Sequence, residues 1–148
     1  MTIGVAKPAA SDEATRRRMA SVRHERTQPE LAVASVLDSL GFAYTSNDRS
    51  LPGHPDFYIA DPGLAVFVHG CFWHRHAGCS KATMPKSNVE YWTAKFQDNQ
   101  KRDKRLVRQL RASSIPSLIL WQCQTEQSSV LRKRLRRRLA AMHQRKLG

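Results

Sequence analysis

Acidic residues are scarce in this chain: 12 aspartates and glutamates stand against 25 lysines and arginines, a formal net charge of +13 over 148 residues. A chain so poor in acids implies a polyanionic partner, and nucleic acid is favoured because no amphipathic anchor with a broad apolar face stands out. Long hydrophobic runs are missing as well; no stretch approaches the roughly 18 apolar residues a membrane-spanning helix needs. The opening residues, MTIGVAKPAASDEATRRRM, lack the apolar centre and small-residue cleavage site of a secretory signal, so a cytoplasmic location is expected. Cysteines number only three. An odd count leaves at least one outside any intramolecular disulfide, and near histidines in a reducing compartment they read as metal ligands. Internal repeats and low-complexity linkers are absent too. What remains is one ordinary domain, 41% apolar and long enough to bury a core without staples.

Residues 1–14 read as a flexible N-terminal tail and residues 15–148 as a single domain. Residues 15–26, TRRRMASVRHER, are a basic stretch with some helical character. Thr27-Gln28-Pro29-Glu30 predicts a capping box, followed by a helix with Leu31, Ala34, Leu37 and Leu40 on one stripe and Gly41 as its stop. Residues 42–45 predict a strand, 47–53 a loop, 56–59 a second strand closed by the turn at 61–63, and 64–68 a third. Unbroken apolarity in Leu64-Ala65-Val66-Phe67-Val68 predicts burial on both faces. Ser87-Asn88-Val89-Glu90 predicts a second capping box opening a long helix to about residue 112. A buried strand at 118–121 and a basic helix at about 130–146, with Leu131, Leu135, Leu139 and Met142 on one side, complete the chain. The expected class is α/β, a mixed sheet flanked by helices.

The densest chemistry lies in HGCFWHRHAGC, residues 69–79. Cys71, His76 and Cys79 form the pattern C-x-x-x-x-H-x-x-C, and a structural zinc needs four such ligands. If the strands at 64–68 and 118–121 run parallel, joined by the long helix as a crossover, their carboxyl ends bring Cys71 and Cys123 together. The set is then Cys₃His, with His76 as the imidazole, although spacing alone also admits His74. Asp56, fixed by Pro55 at the mouth of a strand, suits a hard divalent cation such as Mg²⁺. His69 ends the adjoining strand and falls near Asp56 if the two strands pair as a hairpin. An uncommitted His74 near a phosphate could move a proton, with Asp103 orienting a histidine. Phe72 and Trp73 sit among these ligands, a place better suited to a stacking wedge than to core packing. Lys95, Lys101, Arg102, Lys104, Arg105, Arg108 and Arg111 on the long helix, with Arg16 to Arg18, suit phosphate contacts; the run RKRLRRRL fits either that use or a solvated face.

The combination TQPE, SLPGHPDF, VFVHGCFWHRHAGC, YW, N-Q-K-R-D and WQC, spread from about Thr15 to Cys123, resembles the very short patch repair (Vsr) DNA mismatch endonucleases. The resemblance implies a restriction-endonuclease-like fold with one structural zinc and catalytic Mg²⁺, two ions by expectation. It implies nicking of one strand 5′ of the thymine in a T:G mismatch left by 5-methylcytosine deamination, by a monomer linked to a cytosine-5 DNA methyltransferase and a repair polymerase. By the same resemblance Asp56 bridges Mg²⁺ and the Val68 backbone carbonyl supplies a further ligand. Glu30 holds a metal-bound water, His69 and His74 are active-site histidines, and Asp103 is the partner of His74. Cys71, His76, Cys79 and Cys123 hold zinc, and Phe72, Trp73 and Trp92 enter the base stack. Two departures stand out. Val66-Phe67-Val68 supplies neither the second acid nor the lysine usual in restriction enzymes, and the His76–Cys79 spacing is one residue longer than the family segment. The rival expectations are a restriction- or homing-type nickase without mismatch dependence, and a non-catalytic zinc-stabilised DNA-binding module.

Overall fold

Residues 27–147 are described by the computed structural model; the expected tail at 1–14, the basic stretch at 15–26 and Arg16 to Arg18 lie outside the described residues. The first helix, α1 (Gln28–Leu40), begins where its sequence predicts, with the Thr27 arm of the expected capping box in place. Thr27 is extended, its hydroxyl accepts from the Glu30 N–H at 3.4 Å, and a proline occupies the first turn. Gly41 ends it in the left-handed region at φ 80°, donating to Asp38 O, a conformation that a glycine adopts without side-chain strain. The buried stripe is rotated from the expected one. Val33, Val36 and Leu37 face inward while Leu31 stays exposed at 42%, because the run 33, 36, 37, 40 is the one that meets the sheet.

Strands β1 (Thr45–Ser46), β2 (Phe57–Ile59) and β3 (Leu64–His69) form an antiparallel meander, and β4 (Ser117–Trp121) adds parallel to β3, in the order β1-β2-β3-β4. Helix α2 (Val89–Ala112) is the crossover between the two parallel strands, as that connection requires. A short turn of helix, α3 (Gln122–Thr125), leads into α4 (Ser128–Leu147). One face of the sheet packs against α1 and α4 through Val33, Leu37, Ile59, Val66, Leu120, Leu131, Leu135 and Leu139. The other face, Ala65 and Phe67, packs against Leu110 of α2. The architecture is therefore three layers around a mixed sheet, and β3 is buried on both faces as expected.

Three local expectations change. The strand at 42–45 begins only at Thr45; Phe42 leaves the helix through an N–H bond to Leu37 O and packs on the core as loop. The β4 strand is less buried than its composition predicts, with only Leu120 fully enclosed, because it lies at the sheet edge. The second capping box does not form: Asn88 sits at φ 55° and ψ 43° and makes no side-chain cap bond. A left-handed Asn before the helix takes its place, a conformation Asn tolerates better than most residues.

Candidate active site and metal centre

The carboxyl ends of β3 and β4 lie side by side, with His69 opposite Trp121. That register brings Cys71 and His76 of the 69–79 segment next to the segment that follows Trp121. Antiparallel pairing of β2 with β3 brings the start of β2, and so Asp56, to the same end of the sheet.

Cys71, His76, Cys79 and Cys123 converge, their ligand atoms all within 4.8 Å of one another. His76 Nδ1 lies 3.7 Å from Cys71 Sγ and 3.5 Å from Cys123 Sγ. A tetrahedral zinc with bonds of about 2.3 Å to sulfur and about 2.0 Å to nitrogen sets S···N edges near 3.6 Å, so the residues present fit such an ion. The turns that shape the loop are tied by main-chain bonds, His76 N–H to Cys71 O at 3.0 Å and Cys79 N–H to His76 O at 3.3 Å. The Cys123 N–H points at Cys71 Sγ, 3.4 Å away. Burial pushes the Cys71 thiol up to about 11, while an N–H bond from Lys81 lowers Cys79. Ligation replaces those protons outright. His76 stacks on Trp121 at 4.2 Å and 9°, which fixes its ring plane. Between the two imidazoles that spacing left open, His76 is the one among the thiols. His74 is engaged elsewhere.

That engagement is with Asp103, whose Oδ2 lies 2.7 Å from His74 Nδ1. An ionised carboxylate only accepts, so Nδ1 carries the proton and Nε2 is left as the free position. His69 stacks flat on His74, rings 3.8 Å apart and 10° from parallel. Burial, with the neighbouring His74 adding to it, takes His69 down to about 4, so it is neutral at working pH. His69, His74 and Asp103 also form a group whose ligand atoms lie within 4.8 Å of one another. A cleft of about 420 Å³, lined by Asp103, Lys104, Val107, Arg108 and Ile119, opens beside this pair.

Asp56 is the second focus. The Val68 N–H donates to its Oδ2 at 2.7 Å, and Pro55 before it is fully buried. Burial pushes Asp56 up to about 6; the Val68 bond works against this, the adjacent Glu30 adds to it, and His74 opposes it. Glu30 itself is 8% exposed. It sits in the first turn of α1 and turns its side chain to Asp56 as a hydrogen-bond partner. Five of the predicted residues, Glu30, Asp56, His69, His74 and Asp103, are thus neighbours, drawn from α1, the bend before β2, β3, the loop and α2.

The aromatic residues form one cluster. Phe72 meets Trp73 at 5.1 Å, Trp92 at 5.6 Å and Phe96 at 5.2 Å, and Trp73 meets Trp92 at 5.8 Å. Phe96 is its buried base, 4% exposed, while Phe72, Trp73 and Trp92 are half-exposed. Phe96 escaped the sequence reading, and Tyr91 and Asn99 entered it only as letters of the YW and N-Q-K-R-D motifs, with no role. Tyr91 lies edge-on to Trp92 at 5.2 Å, and Asn99 Nδ2 donates to Trp73 O at 3.1 Å. Trp92, Phe96 and Asn99 recur at helical spacing, a signal that could have placed all three on the face toward the loop. The phosphate-contact candidates Lys95, Lys101, Arg102, Lys104, Arg105, Arg108 and Arg111 are all exposed on α2. Among the described residues no helix is long and apolar enough to cross a membrane.

The family model for DNA mismatch endonuclease Vsr matches residues 10–81. Type II nicking enzyme V.XorIIP of Xanthomonas oryzae pv. oryzae is 40% identical over 126 residues, 85% of this chain and 92% of that protein. Type II nicking enzyme V.NmeAIP of Neisseria meningitidis is 34% identical over 119 residues, 80% and 84% of the two chains. The DNA mismatch endonuclease Vsr of Escherichia coli K12 is 37% identical over 113 residues, 76% of this chain and 72% of that one. With a carboxylate, a histidine pair and a Cys₃His group assembled at one end of its sheet, this chain belongs to the Vsr family of DNA mismatch endonucleases.

Proposed function

We propose that the protein nicks one strand of duplex DNA 5′ of the thymine in a T:G mismatch, and so starts very short patch repair of deaminated 5-methylcytosine. The observation that carries this reading is the junction of two devices on one short segment. His74, bonded to Asp103 and near enough to Asp56 to act on its charge, follows directly on Trp73 of the half-exposed aromatic cluster. The mixed sheet with an acid at the mouth of β2 supports a restriction-endonuclease-like core.

Asp56 and the Val68 carbonyl are the ligands of choice for Mg²⁺, two ions by this reading, with Glu30 positioned to hold a water. An extended residue turns its N–H and C=O to the same strand edge, so the Val68 N–H bond to Asp56 puts the carbonyl on the Asp56 side of β3. When bound, such ions neutralise charge on the phosphoryl oxygens and stabilise the leaving 3′ oxygen. Glu30 and Asp56 together present the negative charge that recruits a hard cation. His74 takes or returns the proton at Nε2, its tautomer set by Asp103 at Nδ1. His69, neutral and stacked on it, restrains the ring.

Phe72, Trp73 and Trp92 act as the wedge. Unstacking a step costs a few kcal/mol and each aromatic–base stack returns roughly 1–3 kcal/mol, so insertion is favourable where a mismatch has already weakened the stack. Cys71, His76, Cys79 and Cys123 hold one structural zinc, which braces the loop and spares the rings an entropy loss on binding. A single site suits a monomer that cuts one strand, downstream of the cytosine-5 methyltransferase that creates the vulnerable base and upstream of a repair polymerase. The test is nicking of matched T:A and mismatched T:G duplexes in Mg²⁺ over varied flanking bases. Selective nicking 5′ of the mispaired T is expected. Equal cutting of both duplexes would instead assign a restriction- or homing-type nickase, and tight binding without cutting a DNA-binding module.

A further inference from the structure

Arg75 lies inside the loop and has no part in the roles above. Its guanidinium donates to three main-chain carbonyls: Thr83 O at 2.9 Å, Ala82 O at 3.0 Å and Phe72 O at 3.4 Å. The same group stands 4.2 Å from the centroid of the Phe96 ring and 5.8 Å from that of Phe72. Its backbone is in the left-handed region at φ 54°, a conformation that costs a non-glycine residue energy and persists where the surroundings hold it. A planar fork with five donors can reach carbonyls on two segments while its face lies on a ring. A lysine ammonium has neither the plane nor the span. The charge is thus turned inward, onto the wedge and onto the stretch after Cys79, instead of outward to a phosphate.

We propose that Arg75 is a positioning residue for mismatch opening: it clamps the Phe72 carbonyl to residues 82 and 83 and lies on Phe96, so that Phe72, Trp73 and Trp92 keep the shape that enters the base stack. This rests on the mismatch-nicking reading above. The clamp acts on opening and leaves the cutting groups alone, which separates it from a general structural role.

The experiment compares the wild type with Arg75→Lys on a T:G duplex carrying 2-aminopurine beside the mismatch, whose emission rises when the base unstacks. Arg75→Lys is expected to keep one zinc and an unchanged Tm, to show a reduced emission rise at saturating protein, and to nick the T:G duplex about ten- to a hundredfold more slowly. On a duplex already opened by tandem mismatches around the same site it should nick at the wild-type rate. Phe96→Leu, which removes only the ring under the guanidinium, should lower the emission rise in the same direction by less. Equal slowing on both duplexes, loss of zinc, an unchanged emission rise in both variants, or an equal loss of affinity for matched DNA overturns the proposal. A wild-type protein that leaves the probe stacked overturns the wedge reading itself, and the clamp with it.

Discussion

Burial acts on Asp56 and His69 in the same chemical sense, favouring the uncharged form of each, yet the proposed function puts the two to opposite uses. Asp56, raised to about 6 with Glu30 beside it, is a carboxylate kept short of positive charge. A divalent cation is the natural remedy, and Asp56→Ala should reduce nicking to background while mismatch binding in a gel-shift assay is retained. His69, lowered to about 4, has no such remedy and stays neutral as a packing surface for His74. Asp103→Asn keeps a hydrogen-bonding group 2.7 Å from His74 Nδ1 but removes the charge that dictates the tautomer. Its single-turnover nicking rate should fall by about 10²–10⁴, with Tm nearly unchanged. Trp73→Ala should lose preference for mismatched over matched duplex, by about 1–3 kcal/mol in binding titrations, more than it loses overall affinity. Equal losses on both duplexes would assign Trp73 to packing. These residue types were legible because acids and cysteines are few: with so little choice, Asp56, Asp103 and all three cysteines stood out. Phe96 and Arg75 did not, since a phenylalanine in a helix and an arginine in a basic chain carry no mark until the contacts are seen.

At the scale of elements, the 69–79 loop has almost no apolar side chain buried besides Cys71, and its shape depends on main-chain turns and the four converging ligands. Removing zinc with a chelator should lower Tm and abolish nicking together, and metal analysis of the native protein should give one zinc per chain; full activity after removal would contradict the brace. The helices divide the basic charge between them. On α4, Arg132 donates to Ser39 Oγ at 2.7 Å, Arg138 to Ser117 O at 3.5 Å, and Arg134 to Gln124 Oε1, so part of the RKRLRRRL run serves the fold. On α2 the cations are exposed beside Asp103. Arg108→Ala should weaken matched and mismatched duplexes alike and reduce the slope of log K against log salt by about 1, whereas Arg138→Ala on α4, which removes a side chain bonded to Ser117 O, should leave that slope unchanged. Element boundaries were less legible than element types. A hydrophobic strand such as β4 reads as buried from its composition, and only the pairing order shows that it is an edge. The capping box at 87–90 has the right letters, but Asn88 in a left-handed conformation leaves the box geometry unmade.

Across the whole molecule, one topological fact organises the rest: β3 and β4 are parallel neighbours. That pairing was legible from the length of the intervening helix, and it carries Cys71 to Cys123 across a long separation in sequence, while the packing of the crossover helix α2 back onto the sheet brings Asp103 to His74. The meeting of Glu30 with Asp56 was not derivable from spacing, because it depends on how α1 lies on the sheet; only the family resemblance pointed to it. The expectations for residues 1–26 fall outside the described residues. On the proposed function, the wedge, the zinc brace and the cutting groups share one end of the sheet, so the place where the stack is opened should dictate the place where the strand is cut. The most direct test maps the nick at single-nucleotide resolution on a duplex series in which the T:G pair, with its immediate flanks, is moved stepwise along the DNA. The nick is expected to follow the mismatch at a constant offset, at the phosphate 5′ of the mispaired T. A nick that stays put while the mismatch moves, or that falls at varying distances from it, would contradict the coupling of opening to cutting.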